Sequence, residues 1–209
     1  MIRRFSFVLG LVPTLVAAQG ASLPAQKSIV AVQVHGPSTW KIDPTHSELS
    51  FTIRHLVSKV RGQFDIWRGT IVADPDDWST ASVEVTAQTA SIDTNNEARD
   101  DDLRSTNHFD ADANPVVTFK STKVVRLPDD SVELEGNLAM HGVVRPIVLR
   151  GHLTAMTGAP GKRRAGFEAE TTVNRKDFNM TWNRIVEGAS MLGDDVKIEI
   201  DIAAVEEEQ

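Results

Sequence analysis

The chain has 209 residues, 41% of them hydrophobic and 24% charged, with 22 Lys and Arg against 29 Asp and Glu for a formal charge of −7, and it contains neither Cys nor Tyr. That composition is globular and long enough to bury a core without staples. Zero Cys excludes thiolate chemistry, zinc-cysteine clusters and haem attachment, and the acidic balance argues against nucleic acid, whose phosphates are bound by clustered cations.

Met1-Ile2-Arg3-Arg4 is basic, Phe5 to Ala18 is apolar apart from Ser6, Gly10, Pro13 and Thr14, and Ala17, Ala18 and Gly20 are small. A basic start, a short greasy middle and a small-residue cleavage site make residues 1–18 a secretory signal peptide. The apolar stretch falls short of the ~20 residues a membrane-spanning helix needs. Arg3-Arg4 fits either general or twin-arginine export. Removing the leader takes the formal charge from −7 to −9. Attraction to anionic lipid is therefore not expected, and dealings with lipid should rest on an internal cavity. Residues 19–38, mixing Pro, Gln, Ser and Gly around Ile29-Val30-Ala31-Val32, read as a tail, and a single domain over 39–206 follows.

From Trp40 the pattern changes. Leu49, Phe51 and Ile53 alternate with polar neighbours, as do Val83 to Gln88, Val117 to Lys120, Val132 to Glu135 and Val196 to Ile202. Period-two alternation marks half-buried strands. Val60 to Ala73, Leu138 to His141, Ile147 to Met156 and Phe167 to Val173 bring the total to about eight or nine strands. Leu127-Pro128-Asp129-Asp130 and His141-Gly142 carry hairpin turn chemistry, and Pro146 must stand at a strand start or edge. Thr94-Asn95-Asn96-Glu97 has the form of a capping box, predicting a short helix to Arg104 with Thr94 as its cap. Only Ala98 and Leu103 are apolar on it, which suits a cover over one edge or mouth of the sheet.

The pattern means an antiparallel sandwich or barrel. Periodicity admits a packed sandwich, which it favours, or a ligand cavity, towards which the 6% aromatic content leans. The six His residues, His35, His46, His55, His108, His141 and His152, lack zinc-protease spacing, Asp100-Asp101-Asp102 lacks the EF-hand pattern, and nucleophile-elbow, Rossmann and P-loop motifs are absent. No metal or catalytic residue is expected.

Asp43-Pro44-Thr45-His46-Ser47-Glu48-Leu49-Ser50-Phe51, Val60-Arg61-Gly62-Gln63-Phe64-Asp65, Ser91-Ile92-Asp93-Thr94, Pro115 to Ser121, Met140-His141-Gly142-Val143 and Asn174-Arg175-Lys176-Asp177-Phe178 occur in order. Together they resemble the YceI-like proteins, lipocalin-like polyisoprenoid-binding barrels, over about Trp40 to Val205. The resemblance implies an all-β fold: an eight-stranded antiparallel lipocalin-like barrel with one short helix in a single domain. It also implies a periplasmic address, frequent dimerisation and a non-covalently bound isoprenoid or quinone-like lipid, with no other cofactor, no catalysis and no stable membrane insertion. Asn179 stands where the family commonly has Gly, a change a left-handed backbone tolerates. His46, Asp93 and Arg99 match signature positions and are expected to fasten turns more than to touch ligand. Strand parity and size nominate Leu49, Phe51, Ile53, Phe64, Val83, Val85, Val117, Phe119, Leu134, Leu138, Phe167 and Trp182 as channel lining. The competing readings are a metal-dependent or His-based enzyme using Asp43, His46 and His55, and a filled barrel acting through protein partners.

Overall fold

The alternating segments pair in sequence into one sheet that closes on itself. The computed structural model describes residues 36–129 and 131–207. The expected signal peptide and nearly all of the expected tail lie outside them. Thirteen strands occur among the described residues. They are β1 (Ser38–Ile42), β2 (Glu48–His55), β3 (Ser58–Phe64), β4 (Trp67–Asp74), β5 (Asp77–Gln88), β6 (Ile92–Asp93), β7 (Val116–Arg126), β8 (Val132–Met140), β9 (Val143–Thr157), β10 (Arg164–Asn174), β11 (Ile185–Val186), β12 (Ala189–Ser190) and β13 (Leu192–Glu206). One helix, α1 (Glu97–Arg104), interrupts them.

Three strand paths are bent. β1 and β2 are one path broken at Pro44–His46, where Pro44 cannot donate to a ladder and Asp43 accepts from the Thr45 N–H at 3.0 Å. β3 continues into β4 through Asp65-Ile66, and β5 into β6 through Thr89–Ser91. With β7, β8, β9, β10 and β13 this makes eight antiparallel paths, each hydrogen-bonded to the next, and β13 closes the ring on β2 and then β1. The architecture is a closed eight-stranded antiparallel barrel with one helix.

Several local expectations shift. β1 is too short to have announced itself by alternation. The two segments read around Val132 and Leu138 form a single strand, β8. The helix is capped by Asn96, whose side chain accepts from the Arg99 N–H at 3.0 Å, and not by Thr94. Thr94 instead donates its backbone N–H to the buried Asp100 carboxylate at 2.9 Å and accepts from Arg99 Nε at 2.7 Å. Pro146 is the fourth residue of β9, yet β10 pairs with β9 only as far as Arg150, so Pro146 stands where one edge of its strand has no ladder to supply. Beyond that point Thr171 Oγ1 donates to the Val148 carbonyl at 2.8 Å.

The two ends of the barrel differ. At the end where β1 begins and β13 finishes, Trp40 is fully buried among Ile71, Ala73, Ala165 and Ala204, with Trp78 and Phe167 packed against them. Ring centroids lie 5.2 Å apart for Trp40 and Trp78 and 4.7 Å for Trp78 and Phe167. Arg163 spans the Trp40 ring and forms a buried pair with Glu206, Nε to Oε2 at 2.8 Å. Small alanines leave room for the two indoles, so this end is corked. The other end carries the β2–β3 turn, α1 and the segment from Arg175 to Ser190.

Candidate functional site

Inside the barrel, parity places one apolar residue in every two towards the axis, and between the cork and α1 they enclose a cavity of about 490 Å³. That volume lies within the range of small-molecule sites. β13 contributes Val196, Ile198, Ile200 and Ile202, and β2 contributes Leu49, Phe51 and Ile53. Each points inward, yet each is only half-buried, whereas Ala204, next in the inward series of β13, is fully buried at the cork. The wall faces open space.

Two glycines shape it. A Cβ on Gly136 would lie 2.3 Å from the Phe119 ring and 2.7 Å from the Lys120 carbonyl, and one on Gly62 would lie 2.5 Å from the Phe51 ring. Both rings occupy the space of the missing side chains and form part of the wall. Phe64 links Phe51 to Phe109 near the mouth, with centroids 6.1 and 6.0 Å away.

Of the twelve residues nominated from sequence, Leu49, Phe51, Ile53, Phe64, Val83, Val85, Val117, Phe119, Leu134, Leu138 and Trp182 line this cavity. Phe167 does not. Its parity is inward, but its depth places it in the cork against Trp78. Sequence reasoning missed the β13 face, which it had read as an alternating strand without assigning its side, and Met140, Ile147, Leu149 and Val173. The helix read from sequence as a cover over an edge or mouth does stand at the mouth, where Ala98 and Leu103, not nominated as lining, face the cavity.

Apart from Ser50 and Thr171 on the strand walls, the polar lining gathers towards the mouth. The buried His108 has Nε2 3.3 Å from Asp102 Oδ2 and its ring 5.0 Å from Trp182. Burial pushes the imidazole below its ordinary range despite the nearby Asp102, so it is neutral at pH 7. Arg175, buried in the wall, donates Nε to the Gly193 carbonyl at 2.9 Å, Nη1 to the Met180 and Trp182 carbonyls and Nη2 to Asp194 Oδ1 at 3.2 Å. It pins the segment that carries Trp182 to the start of β13. Arg99 and His55 add to the polar lining.

The signature residues fasten turns. His46 Nδ1 lies 2.9 Å from Asp43 Oδ2 on an exposed side chain, Asp93 Oδ1 accepts from the Asn95 N–H at 2.7 Å, and Arg99 is held by Thr94 while also facing the cavity. Asn179 adopts the left-handed conformation its position requires, with φ 61°. His141 turns inward to the Phe178 carbonyl at 2.9 Å. His46 precedes β2 and His55 ends it, so the length of the strand, roughly 23 Å at about 3.3 Å per residue, lies between them. Asp43, His46 and His55 therefore form no constellation. Among the described residues no group of three or more His, Asp or Glu is placed to hold a metal.

The YceI-like domain profile matches residues 40–204. A UPF0312 protein of Pectobacterium atrosepticum is 40% identical over 138 residues, which cover 65% of this chain and 71% of that protein. The crystal structure of the Campylobacter jejuni YCEI protein superposes with a TM-score of 0.66 at 29% identity, covering 75% of this chain and 91% of that one. A polyisoprenoid binding domain from Saccharophagus degradans, implicated in plant cell wall breakdown, shares the fold with a TM-score of 0.58 at 15% identity over 80% of this chain and 98% of its own.

Proposed function

The chain belongs to the YceI-like family, and from that premise we propose that it is an exported, periplasmic binding protein that sequesters an isoprenoid-type lipid, a polyprenyl chain or quinone tail, in its barrel without covalent chemistry. The observation that carries this reading is the half-buried state of inward-facing Leu49, Phe51, Ile53, Val196, Ile198, Ile200 and Ile202. A wall of aliphatics left facing a cavity of about 490 Å³ calls for an apolar occupant. The name of the Saccharophagus degradans domain, which has this fold, refers to that ligand class.

The energetics suit a hydrocarbon tail. Each five-carbon unit moved out of water gains roughly 4 kcal/mol gross at about 0.8 kcal/mol per carbon. Ordering a flexible chain reduces that sum, so a few units give useful affinity and not irreversible capture. The tail enters past α1 and runs towards Trp40, while a polar head stays by Arg99, Asp102 and His55. A His-based enzyme has less support, because Asp43 and His46 sit together on the outside and His55 lies at the mouth.

Native mass spectrometry of the purified protein, followed by organic extraction, tests the reading. Recovery of a prenyl-containing lipid, and its loss on filling the channel with Ile198→Trp, is expected. Recovery of no lipid together with failure to bind added farnesol or a short-chain quinone overturns it.

A further inference from the structure

Two hairpin tips stand beside the mouth. The β2–β3 turn is a two-residue loop, Leu56-Val57, closed by the pair His55 and Ser58. Such loops favour Asn-Gly or Asp-Gly because the chain must enter the left-handed region. The equivalent loops His141-Gly142 and Glu187-Gly188 comply, with a glycine at φ 71° and 81°. In all three loops the first residue is left-handed without being glycine, at φ 50° for Leu56, 49° for His141 and 50° for Glu187, but where the other two place Gly second this one places Val57, which is fully exposed. The turn carries two aliphatics, Leu56 and Val57, where turn chemistry asks for polar residues and glycine. The second tip, β11–β12, carries Ile185, 65% exposed. Met191 of the cavity wall ties the two together, accepting from the Leu56 N–H at 2.7 Å and donating to the Arg184 carbonyl at 2.8 Å.

Cations flank these tips. Arg54 and Lys59 are direct cross-strand partners, Arg61 follows two residues along the same face, and Arg184 precedes Ile185. All four are exposed, and none is ion-paired among the described residues. Like charges placed opposite one another destabilise a hairpin, so the arrangement does not serve the fold. Glu187 is the acidic group at the second tip, while Lys176 nearby is matched by Asp194 at 2.8 Å. The chain's formal charge of −7, which argues against attraction to anionic lipid, averages over this local concentration.

From exposed aliphatics flanked by cations without ion partners on the hairpin side of the opening, across the mouth from Glu97 and Asp101 of α1, we infer that this rim docks on the surface of an anionic phospholipid bilayer. Val57 and Ile185 enter the headgroup boundary while Arg54, Lys59, Arg61 and Arg184 meet phosphates, which sets the mouth against the membrane. A second copy fits less well. The edge of β3 over Ser58–Gly62 has no ladder partner beyond β2, but two-fold pairing there would set Lys59 and Arg61 of one copy against the same residues of the other. Docking supplies the route by which the proposed ligand, insoluble in water, reaches the channel, and in that purpose it rests on the lipid-binding reading.

Protein purified from cells expressing the full chain is sedimented with vesicles of phosphatidylglycerol and phosphatidylethanolamine, and with vesicles of phosphatidylcholine alone. Binding to the anionic vesicles is expected to fall with added salt and to weaken roughly fivefold for each cation removed, as in Lys59→Glu with Arg61→Glu. Val57→Asp with Ile185→Asp should abolish it, whereas Val72→Asp with Met156→Asp, apolar positions away from the rim, should not. Uptake of farnesol from solution, followed by tryptophan fluorescence, should persist in every variant. Absence of binding to anionic vesicles, binding indifferent to both rim variants, or loss of a dimer in place of loss of docking overturns the inference. Docking without farnesol uptake would leave the inference standing and sink the lipid-binding reading instead.

Discussion

Glu206 shows how a single carboxylate secures the cork. The Arg163 guanidinium, assisted by the Arg163 and Gly161 N–H groups, holds the buried Glu206 carboxyl down at about 2 against an ordinary 4.5. A carboxylate whose folded value is depressed adds stability that is complete above the unfolded value and is lost as pH falls through the folded one. Stability should therefore decline between about pH 4.5 and pH 2, and Glu206→Gln should remove that share of the decline while lowering stability at pH 7 by about 3 kcal/mol, because Arg163 is left buried and unpaired. Urea titrations at a series of pH values measure both effects. His108 acts at milder pH. Its imidazole, depressed by burial, resists protonation in the fold, so stability drops as pH falls below about 6.5, and His108→Gln should flatten that part of the profile. The Arg163–Glu206 partnership was not legible in the sequence, since the two residues lie 43 positions apart.

At the level of strands and helix, alternation exposed most of the barrel because each strand has one wet and one greasy face. It failed where local chemistry was overruled from elsewhere. Thr94 has the sequence of a helix cap but is drawn to Asp100 and Arg99, leaving the cap to Asn96. Pro146, by contrast, keeps the edge its chemistry requires, because the β10 ladder on β9 stops at Arg150. Gly136 and Phe119 form a dependency across β7 and β8. An alanine at 136 meets the ring and the Lys120 carbonyl, a contact that strand backbone cannot relieve. Gly136→Ala should destabilise the protein by about 1–3 kcal/mol and displace the Phe119 ring into the channel, visible as a fall in thermal midpoint together with weaker farnesol binding.

For the molecule as a whole, the sequence specified the inner face but not how deep each residue lies on it. Ten nominated strand positions reach the cavity by parity and Trp182, outside the strands, reaches it because Arg175 holds its segment at the mouth, while Phe167 shares the strand parity and sits in the cork because Trp40 and Trp78 occupy that depth. Whether an inward aliphatic fills space or bounds it depends on the residues across the barrel, which no single strand encodes. The channel's length follows from the same geometry. Replacing Ile200, nearer the cork, by Trp should shorten the longest tail accepted and leave short prenols bound, whereas Ile198→Trp, closer to the mouth, should exclude both. Competition between prenols of graded length distinguishes the two.

The indole plug at Trp40 makes the barrel a cul-de-sac. Whatever occupies it must leave through the doorway by which it arrived, so one guest cannot push another out from behind, and exchange proceeds by evacuation first and refilling second. Turnover is then limited by departure, and the end of the guest nearest the doorway is the part that any acceptor meets first.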